Sequence, residues 1–320
     1  MHSTIFSAFI AVSTLLVYAE PARSQYPVRP IRIIVPFAAG SVNDLVARVI
    51  APSMSEALGQ QLVIDNRAGA AGNLGAEIAA KSPPDGHTLL LGNVSHTISV
   101  TLYEHLGYDF LKDFAPVSQL AAGSFMLAVH PSVPAKSVKD LIALAKLRPD
   151  ELNVAVGGAG IIVAAELFKS TAGIRMTTVS YKGTPQILTA LASGEVSVGF
   201  PPTSAAVPLV KTGKLRGLAV SARHRSPMAP NIATVAEAGL PDYEATTWYC
   251  LVVPVGAPRE IVARLNAEAV RALQGTEVKS RFGATDLTPA PSTPEELGTF
   301  LRSEVVKWGK VVKASGMRPE

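Results

Sequence analysis

Two short junctions hold the residues best suited to binding chemistry. In "PFAAGSVND" an apolar run ends in Phe37, Ala38, Ala39, Gly40 and Ser41, and Asp44 follows three residues after Ser41. Ser-x-x-Asp resembles a capping box, which would open a helix here. A helix N-terminus exposes unpaired N–H groups and partial positive charge, so it favours an anion. Small residues at 38–40 let a ligand approach that backbone closely. A ligand carboxylate this near Asp44 is repelled unless cap hydrogen bonds or waters stand between them. The alternative is that Ser41 and Asp44 only cap the helix.

In "NVAVGGAGIIVAAELF" Gly157, Gly158 and Gly160 lie between a strand and a helix, a second amide-rich hollow. It is a poor dinucleotide fingerprint, with Val163 where the third glycine belongs and Ser180 where an acid is needed. Here the alternative is glycines that serve only a tight turn. Three further strand ends offer polar groups: Asn93, Ser95, His96 and Thr97; Tyr181, Lys182 and Thr184; Thr203 and Ser204. There is no P-loop, His-Glu-x-x-His, Gly-x-Ser-x-Gly or Cys-x-x-Cys. The histidines (2, 87, 96, 105, 130 and 224) show no metal-ligand spacing. No cofactor, metal or catalytic set is therefore expected.

The elements that must position these junctions alternate. "IRIIVPF" reads as a strand buried on both faces, and residues 44–58 follow at helical spacing until Gly59. "QLVIDN", "GNLGAEIAAKS" and "HTLLLGN" continue as strand, helix and strand. After a long extended run, "FAPVSQLAAGSFMLAVHP", and a helix, "SVKDLIALAKLRP", the alternation restarts. It proceeds as "NVAVGG", "IIVAAELFKSTAG", "MTTVSYK", "TPQILTALASG", "VSVGF", "TSAAVPLVKTG" and "LRGLAVSA". A second extended run, "LPDYEATTWYCLVVPVG", leads into two C-terminal helices. This predicts an α/β protein of two lobes joined by two extended crossings, near residues 114–130 and 243–255. The final helices return to the first lobe. Ligands of such sheets bind outside the carboxyl ends of strands, often between domains.

Composition agrees. The 320 residues are long for one core, and 48% hydrophobic against 17% charged residues excludes a disordered chain. The net charge of +4 is scattered, without basic blocks, so nucleic acid is not an expected partner. The first residues, "MHSTIFSAFIAVSTLLVYAEPARSQYP", read as a secretory signal over 1–24, cut after Ser24 or after Ala19. Cys250, the only cysteine, stands in an apolar run and reads as a buried hydrophobe.

From "YPVRPIRIIVPFAAG" onward the chain resembles the periplasmic substrate-binding proteins of tripartite tricarboxylate transporters, the Bug or TctC family. The blocks that carry the resemblance include "LGQQLVIDNRAGAAGNLGAEIAAKSPPDGHTLLLGN", "VHPSVPAKSVKDLIALAK", "KTGKLRGLAVSA" and "PVGAPREIVARLNAE". It implies a type II periplasmic binding protein, a Venus flytrap with lobe 1 from residues 25–122 and 250–320 and lobe 2 from 123–249. It also implies a monomeric solute-binding protein of the periplasm, taking a small organic carboxylate to membrane permease subunits. A ligand sensor serving a signalling protein is the alternative, and an enzyme on the same fold the third.

In the family, one carboxylate is held by backbone amides and two waters between the first strand–helix loop and the glycine-rich loop. The matching positions are Phe37 to Asp44, with Ala39, Gly40 and Ser41, and Gly157 to Ile161. Asn93, Ser95, Tyr181, Thr184 and Thr203 are expected near the rest of the ligand. Trp248 and Tyr249 fall at the hinge, as core or as pocket. Family members usually read Pro-Gly-Gly where Ala39, Gly40 and Ser41 stand here. They carry Ser or Thr and a His where Ile161, Ile162 and Val163 stand, and Asp where Pro201 stands. These departures predict a less polar pocket, suited to a monocarboxylate with an aromatic or aliphatic body.

Overall fold

Ile31, Ile33, Ile34 and Val35 are fully buried and Arg32 is not, as befits a strand covered on both faces. In the computed structural model, which describes residues 26–315, this run is β1 (Ile31–Val35). The expected leader and its cleavage positions lie outside the described residues. α1 (Val42–Leu58) buries Val46, Val49, Ile50 and Met54 on one face and stops at Gly59, whose φ of 68° only glycine takes cheaply. β2 (Leu62–Asn66), α2 (Asn73–Ala80), β3 (Thr88–Asn93) and α3 (Val94–Leu102) follow. The first extended run is two strands, β4 (Phe114–Ser124) and β5 (Met126–Val129), divided at Phe125. Then come α4 (Val138–Leu147), β6 (Asn153–Val156), α5 (Ala159–Ala172), β7 (Thr177–Ser180), α6 (Thr184–Ser193), β8 (Val198–Gly199), α7 (Thr203–Lys211) and β9 (Arg216–Val220). The second extended run is a strand from Thr246 only, β10 (Thr246–Pro254). α8 (Arg259–Gln274), α9 (Thr276–Gly283), β11 (Leu287–Pro289) and α10 (Pro294–Ser315) end the described chain.

The strands form two sheets, β2-β1-β3-β10-β4-β11 and β7-β6-β8-β5-β9. Each has three parallel strands, then an antiparallel fourth strand, then a fifth antiparallel to the fourth. The fourth strand of each sheet arrives by a crossing: β5 from the first lobe's chain, β10 from the second's. The molecule is thus a two-lobed α/β protein. α8 packs on β4 and α1, and α10 packs on α3 and β4, so the C-terminal helices do return to the first sheet. α10 also reaches α5 across the boundary.

Three elements differ from the sequence reading. α3 stands where "LGNVSHTIS" suggested only a polar strand end, and α9 and β11 were not expected. Trp248 belongs to the core: it is fully buried, and its Nε1 donates to Glu304 Oε2 of α10 at 2.8 Å. Cys250 is fully buried and burial pushes its thiol up, so it is inert as a nucleophile.

Candidate functional site

The carboxyl ends of β1 and β6 occupy equivalent places in the two sheets, each with a parallel neighbour on either side. This is where α/β sheets bind ligands. After β1 the chain turns through Phe37 to Gly40, with Ala38, Ala39 and Gly40 exposed. Ser41 caps α1 by accepting the Asp44 N–H at 3.3 Å. Asp44 does not face outward. Its Oδ2 accepts the Gly40 N–H at 3.0 Å and Arg48 Nε at 2.9 Å, and its Oδ1 accepts Asn66 Nδ2 at 3.1 Å. Asn66 Nδ2 also donates to the Phe37 carbonyl at 3.0 Å. Arg48, with help from Gly40 and Asn66, holds the Asp44 carboxyl below the usual carboxylate range despite burial. Asp44 thus braces the loop from within, which answers the repulsion expected between it and a ligand acid.

Across the cleft the pattern changes. α5 begins at Gly158, α6 at Gly183 and α7 at Pro202, and none of these N-caps makes a side-chain hydrogen bond. The first backbone bonds into α5 come from Ile161 and Ile162, both to the Gly158 carbonyl. Among the described residues, the N–H groups of Ala159 and Gly160 have no hydrogen-bond partner. Because β7, β6 and β8 are neighbouring parallel strands, the three helix N-termini open along one sheet edge. Gly157 is required there, since a Cβ on it would sit 2.5 Å from the Tyr181 carbonyl oxygen. A Cβ on Gly160 would sit 3.2 Å from the Phe125 ring and 3.6 Å from Val94, so this loop meets the first lobe. Ile161 is buried and Ile162 half-buried.

The remaining expected residues divide. Ser95 and Thr184 are half-buried in the first turns of α3 and α6. Asn93 is consumed by structure: its Oδ1 accepts the Ser95 N–H at 3.0 Å, and its Nδ2 donates to Asn43 Oδ1 at 2.8 Å. Thr203 is fully buried and its hydroxyl pairs with Ser124 at 2.7 Å. Tyr181 points its hydroxyl away, to Glu195 at 2.8 Å on the exposed surface. Pro201 is buried and its carbonyl accepts the Met126 N–H at 2.9 Å, tying α7's approach to β5.

Sequence reasoning passed over Asn66 and Asn43, because a carboxamide at a strand end signals nothing until its partners are known. His96, a bare candidate in the sequence, completes a capping box on α3, its Nδ1 accepting the Asn93 N–H at 3.1 Å. Burial lowers its imidazole to about 4, so it is neutral at neutral pH. It stacks on Phe110, and Gly72 lies between it and Phe37. The candidate site is therefore two amide-rich junctions, one braced by side chains and one open, with buried Val94, Phe125 and Ile161 beside the second.

A family model described as "Tripartite tricarboxylate transporter family receptor" matches residues 46–317. Protein BugT of Bordetella pertussis is 34% identical over 313 residues, covering 97% of this chain and 96% of its own. Among solved structures, R. palustris Rpa4515 with adipate is 36% identical with a TM-score of 0.78, covering 92% of this chain and 100% of that one. MatC (Rpa3494) from Rhodopseudomonas palustris with bound malate is 34% identical with a TM-score of 0.74, over 90% of this chain and 100% of its own.

Proposed function

The chain belongs to the tripartite tricarboxylate transporter receptor family, whose members are substrate-binding receptors and not enzymes, and we propose that it captures one small organic carboxylate between its lobes for a membrane permease. One observation carries the reading. Two N–H-rich junctions, at Phe37–Asp44 and Gly157–Ile161, stand at matching ends of β1 and β6. Burying a carboxylate costs several kcal/mol unless donors satisfy it, and free backbone amides at helix N-termini supply those donors without a counter-charge. Relatives solved with adipate and with malate support the ligand class.

The mechanism follows from differential affinity. A ligand that touches both lobes binds the closed arrangement better and shifts the population toward it. Bending falls at Phe125 and between β9 and β10, where the chain changes sheets. Closed protein, working as a periplasmic monomer, docks on the permease. The acid group lies on the amides of Ala39, Val42 and Asn43, since those of Gly40 and Ser41 are taken by Asp44 and the Ala38 carbonyl, and on those of residues 158–160. Ser95 and Thr184 reach the rest of the ligand. The apolar wall of Val94, Phe125 and Ile161 favours a monocarboxylate with an aromatic or aliphatic body.

Thermal unfolding against a panel of small carboxylates, with the neutral amides of the same bodies as controls, tests this. A ligand at about 1,000 times its Kd stabilises by about 4 kcal/mol, a shift of several degrees. Acids should raise the midpoint and their amides should not. Equal action by amides, or none by any acid, would overturn the carboxylate clamp. Citrate or malate beating every apolar monocarboxylate would overturn the apolar pocket alone.

A further inference from the structure

Behind the crossing strands, on the side away from β1 and β3, lies a carboxylate the cleft does not use. Asp286 sits in the turn between α9 and β11, 8% exposed, with a φ of 57°. That left-handed backbone is strained for a non-glycine residue, and such strain persists only where the surroundings impose it. Its Oδ2 accepts the Ser124 hydroxyl at 2.7 Å and its Oδ1 accepts the Ser226 hydroxyl. Ser124 has one hydrogen, given to Asp286, so the Thr203 hydroxyl donates to Ser124 Oγ at 2.7 Å. The four residues come from four segments: the turn before β11, the end of β4, the start of α7, and the loop after β9. By sheet, Asp286 and Ser124 go with the first, and Thr203 and Ser226 with the second.

The neighbourhood is built for this contact. Gly123 pairs with Leu287, and a Cβ on it would lie 2.9 Å from the Leu287 side chain, so β11 sits hard against β4. Ser221 joins the crossings to each other. Its hydroxyl oxygen accepts the Phe125 N–H at 2.8 Å while its own hydrogen goes to the Ala245 carbonyl. Beside the network a cavity of about 250 Å³ is lined by Ser226 and Arg223, in the loop after β9, and by Thr246 of β10 and Thr288 of β11. Elsewhere along the boundary one buried apolar cluster joins the two sheets, from Phe110 and Trp248 to Met126 and Phe168, and beside the cavity that contact gives way to the hydrogen bonds.

We propose that Asp286 is a positioning residue of the hinge: by holding Ser124 and Ser226, and Thr203 through Ser124, it fixes the setting of one lobe against the other. It keeps the α7 N-terminus aimed at the cleft while touching no ligand. The inference rests on the closing motion proposed above, but its test needs no ligand.

The test is the interlobe distance distribution from paired spin labels in the full chain. Val63→Cys on β2 and Leu147→Cys at the end of α4 are exposed sites on opposite lobes, and Cys250 is too buried to compete for label. Asp286→Asn keeps the size but places an amide among hydroxyl donors, and Ser226→Ala removes one arm. Each should replace a single narrow distance with a broad distribution. A folded Asp286→Asn or Ser226→Ala protein with the wild-type distribution overturns the proposal, even if its thermal midpoint falls, because a purely structural residue would do that. Should Asp286→Asn not fold, the Ser226→Ala distribution decides alone.

Discussion

The two lobes share a strand order and differ in how they finish their cleft helices. Of the helices that follow β1, β2 and β3, α1 is capped by Ser41 and α3 by Asn93 with His96, and α2 starts on an uncapped glycine, Gly72. In lobe 2, α5, α6 and α7 all start without a side-chain cap. A missing cap ordinarily costs about 1 kcal/mol. Three in a row along one sheet edge are the donors that the proposed function assigns to the ligand. Lobe 1 spends its polar side chains on shaping a loop, and lobe 2 spends backbone on being open.

The contrast can be broken from either side. The largest effect should come from Gly157→Ala. Its Cβ meets the Tyr181 carbonyl, so the loop must move, at about 2 kcal/mol of stability and with loss of carboxylate binding. Denaturant midpoints and calorimetric titration read the two effects separately. Asp44→Ala should cost about as much or slightly less, because it strands the Gly40 N–H and Asn66 Nδ2, while half-exposed Arg48 adds little. Asp44 also carries a pH signature. Its folded pKa is depressed, so its contribution is complete above the unfolded value of about 3.9 and is lost as pH falls through the folded value. An acid titration of stability should therefore show wild type and Asp44→Ala converging at low pH. Ser41→Ala removes one cap for about 1 kcal/mol and loosens the loop without abolishing binding. Smallest, and opposite in sign, is Gly183→Ser. Residue 183 is extended and its Cβ would meet only Pro185 at 3.9 Å, so a capping hydroxyl fits. It should raise stability by up to about 1 kcal/mol and weaken ligand binding if α6 serves the ligand.

Much of the fold was legible because the apolar runs keep their period. "IRIIVPF" and "NVAVGG" are strands, and the helices after them begin where glycine and serine interrupt. α3 was not, because "VSHTISVTL" is rich in β-branched residues and its capping box carries His96 where Glu or Gln is usual. β11 is three residues long and exists only because β4 offers Gly123 and Ala121 as partners. Of the candidate site, the two strand–helix turns were legible from glycines and Ser-x-x-Asp. The duties of individual side chains were not: Asp44, Asn93 and Thr203 look alike as polar candidates, and only their partners show that each faces the protein.

The strand exchange has a consequence for the order of assembly. All five strands of the second sheet lie between residues 126 and 220, one unbroken stretch of chain. The first sheet instead needs β10, which sits between β3 and β4 yet begins only at Thr246. A growing chain can therefore close the later lobe while the earlier one is still split, with β3 and β4 facing each other across a gap one strand wide. Until Pro254 has emerged, those bare edges are the part of the molecule most exposed to mispairing.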